Sequence, residues 1–106
     1  MRISLAQLKT KIETDVEIPY FYGRALNGTK LPYVVAIDNG SSNFEADNKV
    51  FYPVQGIQLE LYTVSKDETL EASIESVLND LELPYEKIES VDEDENFFLN
   101  TYTFTR

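Results

Sequence analysis

Cysteine and histidine are both absent from this 106-residue sequence, and glycine and proline occur only four times each. Without cysteine the chain can form no disulfide and can use no thiolate. Without histidine it lacks the commonest general base and the commonest transition-metal ligand. A content of 42% hydrophobic residues is nevertheless typical of a folded protein rather than a disordered tail. We therefore expect residues 1–106 to form a single globular domain.

Long hydrophobic segments are also missing. No run of about 18 or more apolar residues occurs, which is the length that a membrane-spanning helix needs. The first residues, Met1-Arg2-Ile3-Ser4, lack the apolar stretch of a signal peptide. These features predict a protein that is made in the cytoplasm and has no membrane partner.

Positive charge is scarce, since nine Lys and Arg stand against nineteen Asp and Glu and the net charge is -10. The imbalance lies in residues 65–106, which carry twelve acidic and three basic residues. Proteins that grip nucleic acid need Lys and Arg on the phosphates, so direct DNA or RNA binding is not expected. Acidic neighbours likewise favour packing over base stacking for Tyr62, Tyr85 and Tyr102. The acidic half could serve solubility or form a partner-facing patch.

Catalytic signatures are not found. The glycines are too far apart to form a phosphate-binding loop, and no serine has a histidine partner. The one concentrated set of carboxylates, Asp92-Glu93-Asp94-Glu95, lacks the alternating ligands and central glycine of a calcium-binding loop. We interpret it as a solvated hairpin tip. The sequence therefore predicts no enzyme, no catalytic residue, no metal site and no cofactor.

Two helices are predicted from apolar residues at spacings of three and four. The first covers Ser4 to about Thr14, where Ser4 and Gln7 have the spacing of a capping box. The second covers Asp67 to Leu81, with acidic residues in its first turn and Leu83-Pro84 after its end.

Strands are predicted where β-branched and aromatic residues cluster. Asp15 to Pro32 reads as an aromatic-anchored connection, and Asp38-Asn39-Gly40-Ser41 reads as a turn. The resulting element order, α-β-β-β-α-β-β, predicts an α+β fold whose largely antiparallel sheet has both helices packed on one face. The five predicted strands are Tyr33–Ile37, Asn48–Tyr52, Gln55–Thr63, Tyr85–Val91 and Phe97–Phe104.

Several segments of the chain resemble phage tail-terminator proteins, which are also called tail-completion or head–tail joining proteins. The resemblance begins with Asn43 to Tyr52, which contains an Ala-Asp-Asn turn before a Tyr-bearing strand. It continues with Ile57 to Thr63, which contains Leu-Glu-Leu-Tyr-Thr, and then with Asp67, Glu75 and Leu78. It extends to the hairpin that starts at Tyr85-Glu86-Lys87 and so covers nearly the whole chain.

This resemblance implies a structural protein of the virion neck in long-tailed, non-contractile phages and their prophages. Such a subunit forms a ring, commonly of six copies, that caps the tail tube and joins it to the head connector. Its partners are other copies of itself, the tail-tube protein and a head-completion or connector protein. DNA passes only through the lumen. The protein is then made in the host bacterial cytoplasm and resides in the virion.

Two segments are expected to protrude from the sheet and to make the assembly contacts. One is the loop from Asn39 to Asn48, and the other is the acidic hairpin that ends at Asn96. Other interpretations stay open: a connector adaptor or head-closure subunit, or an acidic binding module that mimics DNA. The predicted interface residues are Phe44, Asp47, Asn48, Asp92, Glu93, Asp94 and Glu95.

Overall fold

A computed structural model of the chain describes residues 3–46 and 49–105. Within these ranges the elements follow the predicted order, α-β-β-β-α-β-β. The strands form one five-stranded sheet in the order β1-β2-β3-β5-β4. β1 runs parallel to β2, and the other neighbouring pairs are antiparallel, so the sheet is largely but not wholly antiparallel. The elements are α1 (Leu5–Asp15), β1 (Tyr20–Tyr22), β2 (Tyr33–Ala46), β3 (Lys49–Thr63), α2 (Glu68–Asp80), β4 (Tyr85–Asp92) and β5 (Phe97–Thr105).

Both helices start where their capping residues predict. The Ser4 hydroxyl accepts a hydrogen bond from the Gln7 amide at 3.1 Å, and the Gln7 side chain accepts one from the Ser4 amide at 2.8 Å. These two bonds complete the capping box of α1. Asp67 caps α2, since its carboxylate accepts a hydrogen bond from the Leu70 amide at 3.0 Å.

The two helices cover one face of the sheet, as predicted, and we call this the covered face. The strand register places Val34 and Leu61 side by side on it, and the next level holds Ala36, Leu59 and Tyr102. These side chains are at most 1% exposed. The helices contribute the apolar stripes that pack against them, and all form one hydrophobic cluster. The helix residues in that cluster are Leu8, Ile12, Ile74, Val77 and Leu78.

The predicted turn at Asp38–Ser41 is wrong, because β2 continues through it. Asp38 pairs with Ile57 and Ser41 pairs with Gln55, so Asn39 and Gly40 lie opposite the single residue Gly56. Two residues opposite one is the pattern of a β-bulge. An Asn-Gly pair suits a bulge as well as a hairpin turn, and local sequence cannot distinguish the two.

Two other parts of the chain differ from those predicted. The separate strands Asn48–Tyr52 and Gln55–Thr63 are one strand, β3, from Lys49 to Thr63; Asn48 itself lies outside the described residues. The stretch from Asp15 to Pro32, predicted as a connection, contains the short strand β1. β1 exists because Tyr20–Tyr22 finds a partner in Val34–Ala36, and such non-local pairing is not visible in the local pattern.

The far ends of β2 and β3 extend beyond the rest of the sheet. β1 pairs with β2 only at Val34–Ala36, and β5 pairs with β3 only from Gly56 to Thr63. Among the residues that the structure describes, 41–46 and 49–55 therefore pair only with each other, and we call them the ribbon. Pro53 lies in the ribbon, where each strand has an edge with no ladder partner and a missing N–H is tolerated. The molecule measures 49 × 28 × 23 Å.

Within residues 3–46 and 49–105, neither helix has the length and apolar character needed to cross a membrane.

Candidate interaction surfaces

The first predicted interface segment, Asn39 to Asn48, is not a loop in the part that the structure describes. Up to Ala46 it belongs to β2, and Phe44 pairs in the ribbon with Tyr52. Asp47 and Asn48 lie outside the described residues. The segment does protrude from the five-stranded sheet, but it does so as a paired strand.

The second predicted segment, the acidic hairpin tip, has an internal order that the sequence did not reveal. Asp92 ends β4, and its carboxylate accepts hydrogen bonds from the backbone amides of Asp94 at 3.1 Å and Glu95 at 2.9 Å. Asn96 follows in the left-handed region with φ 57°, which Asn tolerates better than most residues. Asp92 therefore shapes the turn, while Glu93, Asp94 and Glu95 are exposed.

These two segments lie at opposite ends of the sheet. β3 leaves the ribbon and ends at Thr63, which pairs with Phe98. Phe98 is the second residue after the acidic tip, and Phe97 pairs with Asp92. The predicted interface residues thus do not form one patch, and the described ones fall on two surfaces separated by the length of β3.

An ion-pair network on the covered face was missed by the sequence analysis. Glu71 is only 3% exposed, and its carboxylate accepts hydrogen bonds from the ammonium groups of Lys66 at 2.8 Å and Lys87 at 2.6 Å. Lys66 also binds Glu89 at 2.7 Å, and Lys87 also binds Glu75 at 2.8 Å. The network ties α2 to the edge strand β4. It engages both lysines of residues 65–105.

The network determines the charge states of its members. Burial opposes ionisation of Glu71, but the hydrogen bonds from Lys66 and Lys87 outweigh it and lower the pKa of this carboxyl below its ordinary value. For Glu75, the same balance of burial against bonds from Lys87 and Tyr102 lowers the pKa. The Tyr102 hydroxyl donates to Glu75 at 2.9 Å. Burial first, and then this bond, raise the pKa of Tyr102.

The opposite side of the sheet, which we call the open face, carries a row of aromatic rings. Phe21 of β1 contacts Tyr33 of β2 with ring centroids 6.0 Å apart, and Tyr33 contacts Tyr62 of β3 at 5.0 Å. Tyr62 in turn contacts Phe97 of β5 at 5.4 Å. The row crosses four strands. Tyr62 thus packs against other rings. Tyr85 and Tyr102, which are not part of this row, pack against each other with ring centroids 5.6 Å apart.

A cleft of about 400 Å³ lies on the open face beside this row. The backbone loop of residues 23–29 forms one wall, and Tyr33 and Tyr62 contribute to the other. Glu60 also lines the cleft, and neutral donors hold both of its carboxylate oxygens. The Tyr62 hydroxyl donates to one oxygen at 2.9 Å, and the Gln58 amide donates to the other at 2.9 Å.

Burial, followed by the bond to Glu60, raises the pKa of the Tyr62 hydroxyl well above its ordinary value. Tyr62 therefore stays protonated at neutral pH and acts as a donor to Glu60. Alternation in Gln58, Glu60 and Tyr62 placed these residues on one side of a strand. It could not show that the loop of residues 23–29, far earlier in the chain, would lie over them.

No family model matches the chain, and no curated protein matches it.

Among residues 3–46 and 49–105, no three acidic side chains are grouped in a way that could hold a metal ion. The exposed carboxylates of the tip are solvated neighbours along a turn rather than convergent ligands.

Proposed function

We propose that this protein is a virion structural subunit, a phage tail terminator that forms a ring on the tail tube and joins the tail to the head connector. The sequence resemblance supplies the family, and the ribbon is the observation that carries the proposal. We propose no catalytic role and no cofactor.

The ribbon is a structure that favours a neighbour. Two strands without a third are marginally stable in water, and both outer edges of this ribbon have backbone groups with no ladder partner within the described chain. Such edges pair readily with another chain. A subunit that assembles would satisfy these groups in the ring, whereas a lone subunit leaves them to water.

The two protruding segments support a joining role because they lie at opposite ends of β3. In a cyclic ring each subunit meets its neighbours through two different patches, and a joining ring also needs separate contacts with the tube and with the connector. The ribbon and the acidic tip offer two surfaces of different chemistry. We propose the ribbon for contacts between copies and the tip, Glu93 to Glu95, for a partner along the axis.

The partners that we propose are other copies of the chain in a hexamer, the tail-tube protein and a head-completion or connector protein. DNA passes through the lumen without being gripped, since an acidic wall repels phosphate. The expected result is that carboxylates of residues 65–106 line the lumen. A ring with all of those carboxylates on its outer rim would contradict the proposed acidic lining of the lumen. The proposed location is the virion, after synthesis in the host cytoplasm.

The direct experiment mixes the purified protein with tail tubes that lack a terminal cap, assembled from the tube protein of the same genome. Electron microscopy then measures tube length and the density at tube ends. Tubes of uniform length with a terminal ring are expected. Tubes that keep growing, with bare ends, would overturn the terminator proposal. In that case, binding to purified head connectors would favour an adaptor or head-closure subunit. Co-purification with a basic nucleic-acid-binding protein would favour DNA mimicry.

The strand register gives a matched variant for this experiment. Deleting residues 41–56 joins Gly40 to Ile57 and leaves Asn39-Gly40 as a two-residue turn beneath the existing pair Asp38–Ile57. The deletion leaves every residue of the described hydrophobic cluster in place, so the variant should keep its folded circular dichroism spectrum while losing ring density at tube ends. A folded deletion variant that still caps tubes would show that the ribbon does not carry assembly.

A further inference from the structure

The charge of Glu60 on the open face is not neutralised by the chain itself. Within residues 3–46 and 49–105 no Lys or Arg forms an ion pair with Glu60. Its two hydrogen-bond partners, Gln58 and Tyr62, are neutral. On the covered face, in contrast, the carboxylates of Glu71 and Glu75 are each paired with a lysine ammonium group. A half-buried carboxylate that is oriented but not paired is suited to an external cation.

The walls of the cleft add a second element of recognition. The rings of Tyr33 and Tyr62 lie 5.0 Å apart with an interplanar angle of 33°, close to the oriented carboxylate. Aromatic faces attract cations, and a planar guanidinium can stack on a ring while it donates to a carboxylate. The volume of about 400 Å³ lies within the range of small-ligand sites, about 300–1,000 Å³.

The opposite wall is held in place by its own hydrogen bonds. The Gly23 amide donates to the Ala36 carbonyl at 2.8 Å, and the Thr29 amide and hydroxyl both donate to the Leu26 carbonyl, at 3.1 and 2.6 Å. Gly23 and Gly28 adopt φ of 86° and 83°, a region that favours glycine. The loop is therefore preformed, which reduces the entropy lost when a ligand enters the cleft.

We propose that this cleft binds an arginine side chain of another protein chain, with the guanidinium bound to Glu60 and stacked on the tyrosine pair. A net charge of -10 attracts a basic partner segment and raises its local concentration. Arginine suits the site better than lysine, because its planar donor fork matches both the carboxylate and the rings. This inference does not depend on the terminator proposal.

Arg24 is the one cationic residue among the described residues that line the cleft. It lies on the wall loop, is exposed, and forms no ion pair with Glu60. Its charge competes with an incoming guanidinium. Arg24→Gln should therefore retain or strengthen binding of the external arginine.

The test is an NMR titration of the isolated, isotope-labelled chain with N-acetyl-arginine amide, whose capped ends imitate a residue within a chain. Shifts that saturate at the amides of residues 23–29 and at Tyr62 are expected. N-acetyl-citrulline amide, the neutral counterpart of similar shape, should bind at least about tenfold more weakly, and N-acetyl-lysine amide should bind more weakly than arginine. Equal binding of citrulline or lysine would overturn the assignment.

Two variants with the same change of net charge make the test specific. Glu60→Gln should weaken arginine binding about tenfold, whereas Glu86→Gln, an exposed position of β4, should leave it unchanged. Equal losses in the two variants, or shifts spread over the whole acidic surface, would show general charge attraction and contradict the proposal. Because no tail tube is present, this result is separate from the outcome of the capping experiment.

Discussion

Replacing Glu71 with Gln tests whether the ion-pair network holds α2 to the edge of the sheet. Gln has nearly the same size and keeps a carbonyl acceptor, so the change removes the charge and little else. Glu71 is only 3% exposed, and its carboxylate accepts hydrogen bonds from both Lys66 and Lys87. The variant leaves these two ammonium groups without their shared counter-ion.

Two limits bracket the expected loss of stability. Removing one partner from a fully buried ion pair costs about 3–5 kcal/mol, while a fully exposed pair contributes about 0–1 kcal/mol. Here the carboxylate is buried, but the side chains of Lys66 and Lys87 are 41% and 31% exposed and can be hydrated again. We therefore expect Glu71→Gln to lower the free energy of unfolding by about 1–3 kcal/mol.

Urea denaturation followed by far-ultraviolet circular dichroism measures this loss. With an m-value of about 1.5 kcal/mol per M, the midpoint should fall by about 0.7–2 M at pH 7. Glu13→Gln on the exposed side of α1 is the control, because it removes the same net charge from a residue that forms no ion pair with the described residues. A midpoint for Glu71→Gln that matches the Glu13→Gln midpoint would refute the reasoning.

The difference in stability between the wild type and Glu71→Gln should depend on pH. The folded-state pKa of Glu71 lies below its ordinary value of 4.5. A depressed carboxyl pKa gives stability that is fully present above the unfolded-state pKa and is lost as pH falls through the folded-state pKa. The difference between the wild type and Glu71→Gln should thus be largest near neutral pH and shrink below about pH 4.5. A difference that stays constant down to about pH 3 would contradict a charge-based origin.

Three further substitutions test separate parts of the fold. Leu78→Ala removes a side chain that is 0% exposed in the core. It should lower the free energy of unfolding, measured by urea denaturation, by about 2–5 kcal/mol. A loss under about 1 kcal/mol would mean that α2 does not pack on the sheet through Leu78. Ser4→Ala breaks the capping box of α1 and should cost about 0.5–2 kcal/mol in the same assay, while an unchanged midpoint would argue against the cap. Asp92→Ala removes the acceptor for the Asp94 and Glu95 amides and should speed hydrogen exchange at those two amides without a matching global loss. Unchanged exchange there would show that the turn does not need this carboxylate.

The helices could be predicted closely because their signals are local. The spacing of Leu70, Ile74 and Leu78 marks the buried side of α2, and Asp67 marks its start, within residues that lie close in the chain. The same holds for the acidic hairpin between β4 and β5, where the predicted strands Tyr85–Val91 and Phe97–Phe104 match the observed ones to within a residue.

The middle of the chain was predicted less well because its structure depends on pairing between distant residues. Asn39-Gly40 has the local signature of a turn, yet Gly56 on the next strand makes it a bulge. Tyr20–Tyr22 becomes a strand only because Val34–Ala36 is available as a partner. The predicted interface residues on this part either lie in the ribbon, as Phe44 does, or outside the described residues, as Asp47 and Asn48 do.

The sequence by itself determined the fold class, the two helices, the last hairpin and the absence of cysteine and histidine chemistry, since these follow from composition and from local periodicity. Only the tertiary structure decided which charges meet. Glu71 and Glu60 look alike in the sequence, but Glu71 is bound by Lys66 and Lys87. Glu60 lies on the open face, where its donors among the described residues are the neutral side chains of Gln58 and Tyr62. The physical reason is that electrostatic environment depends on distances between residues far apart in the chain, and those distances are set by strand register and helix packing.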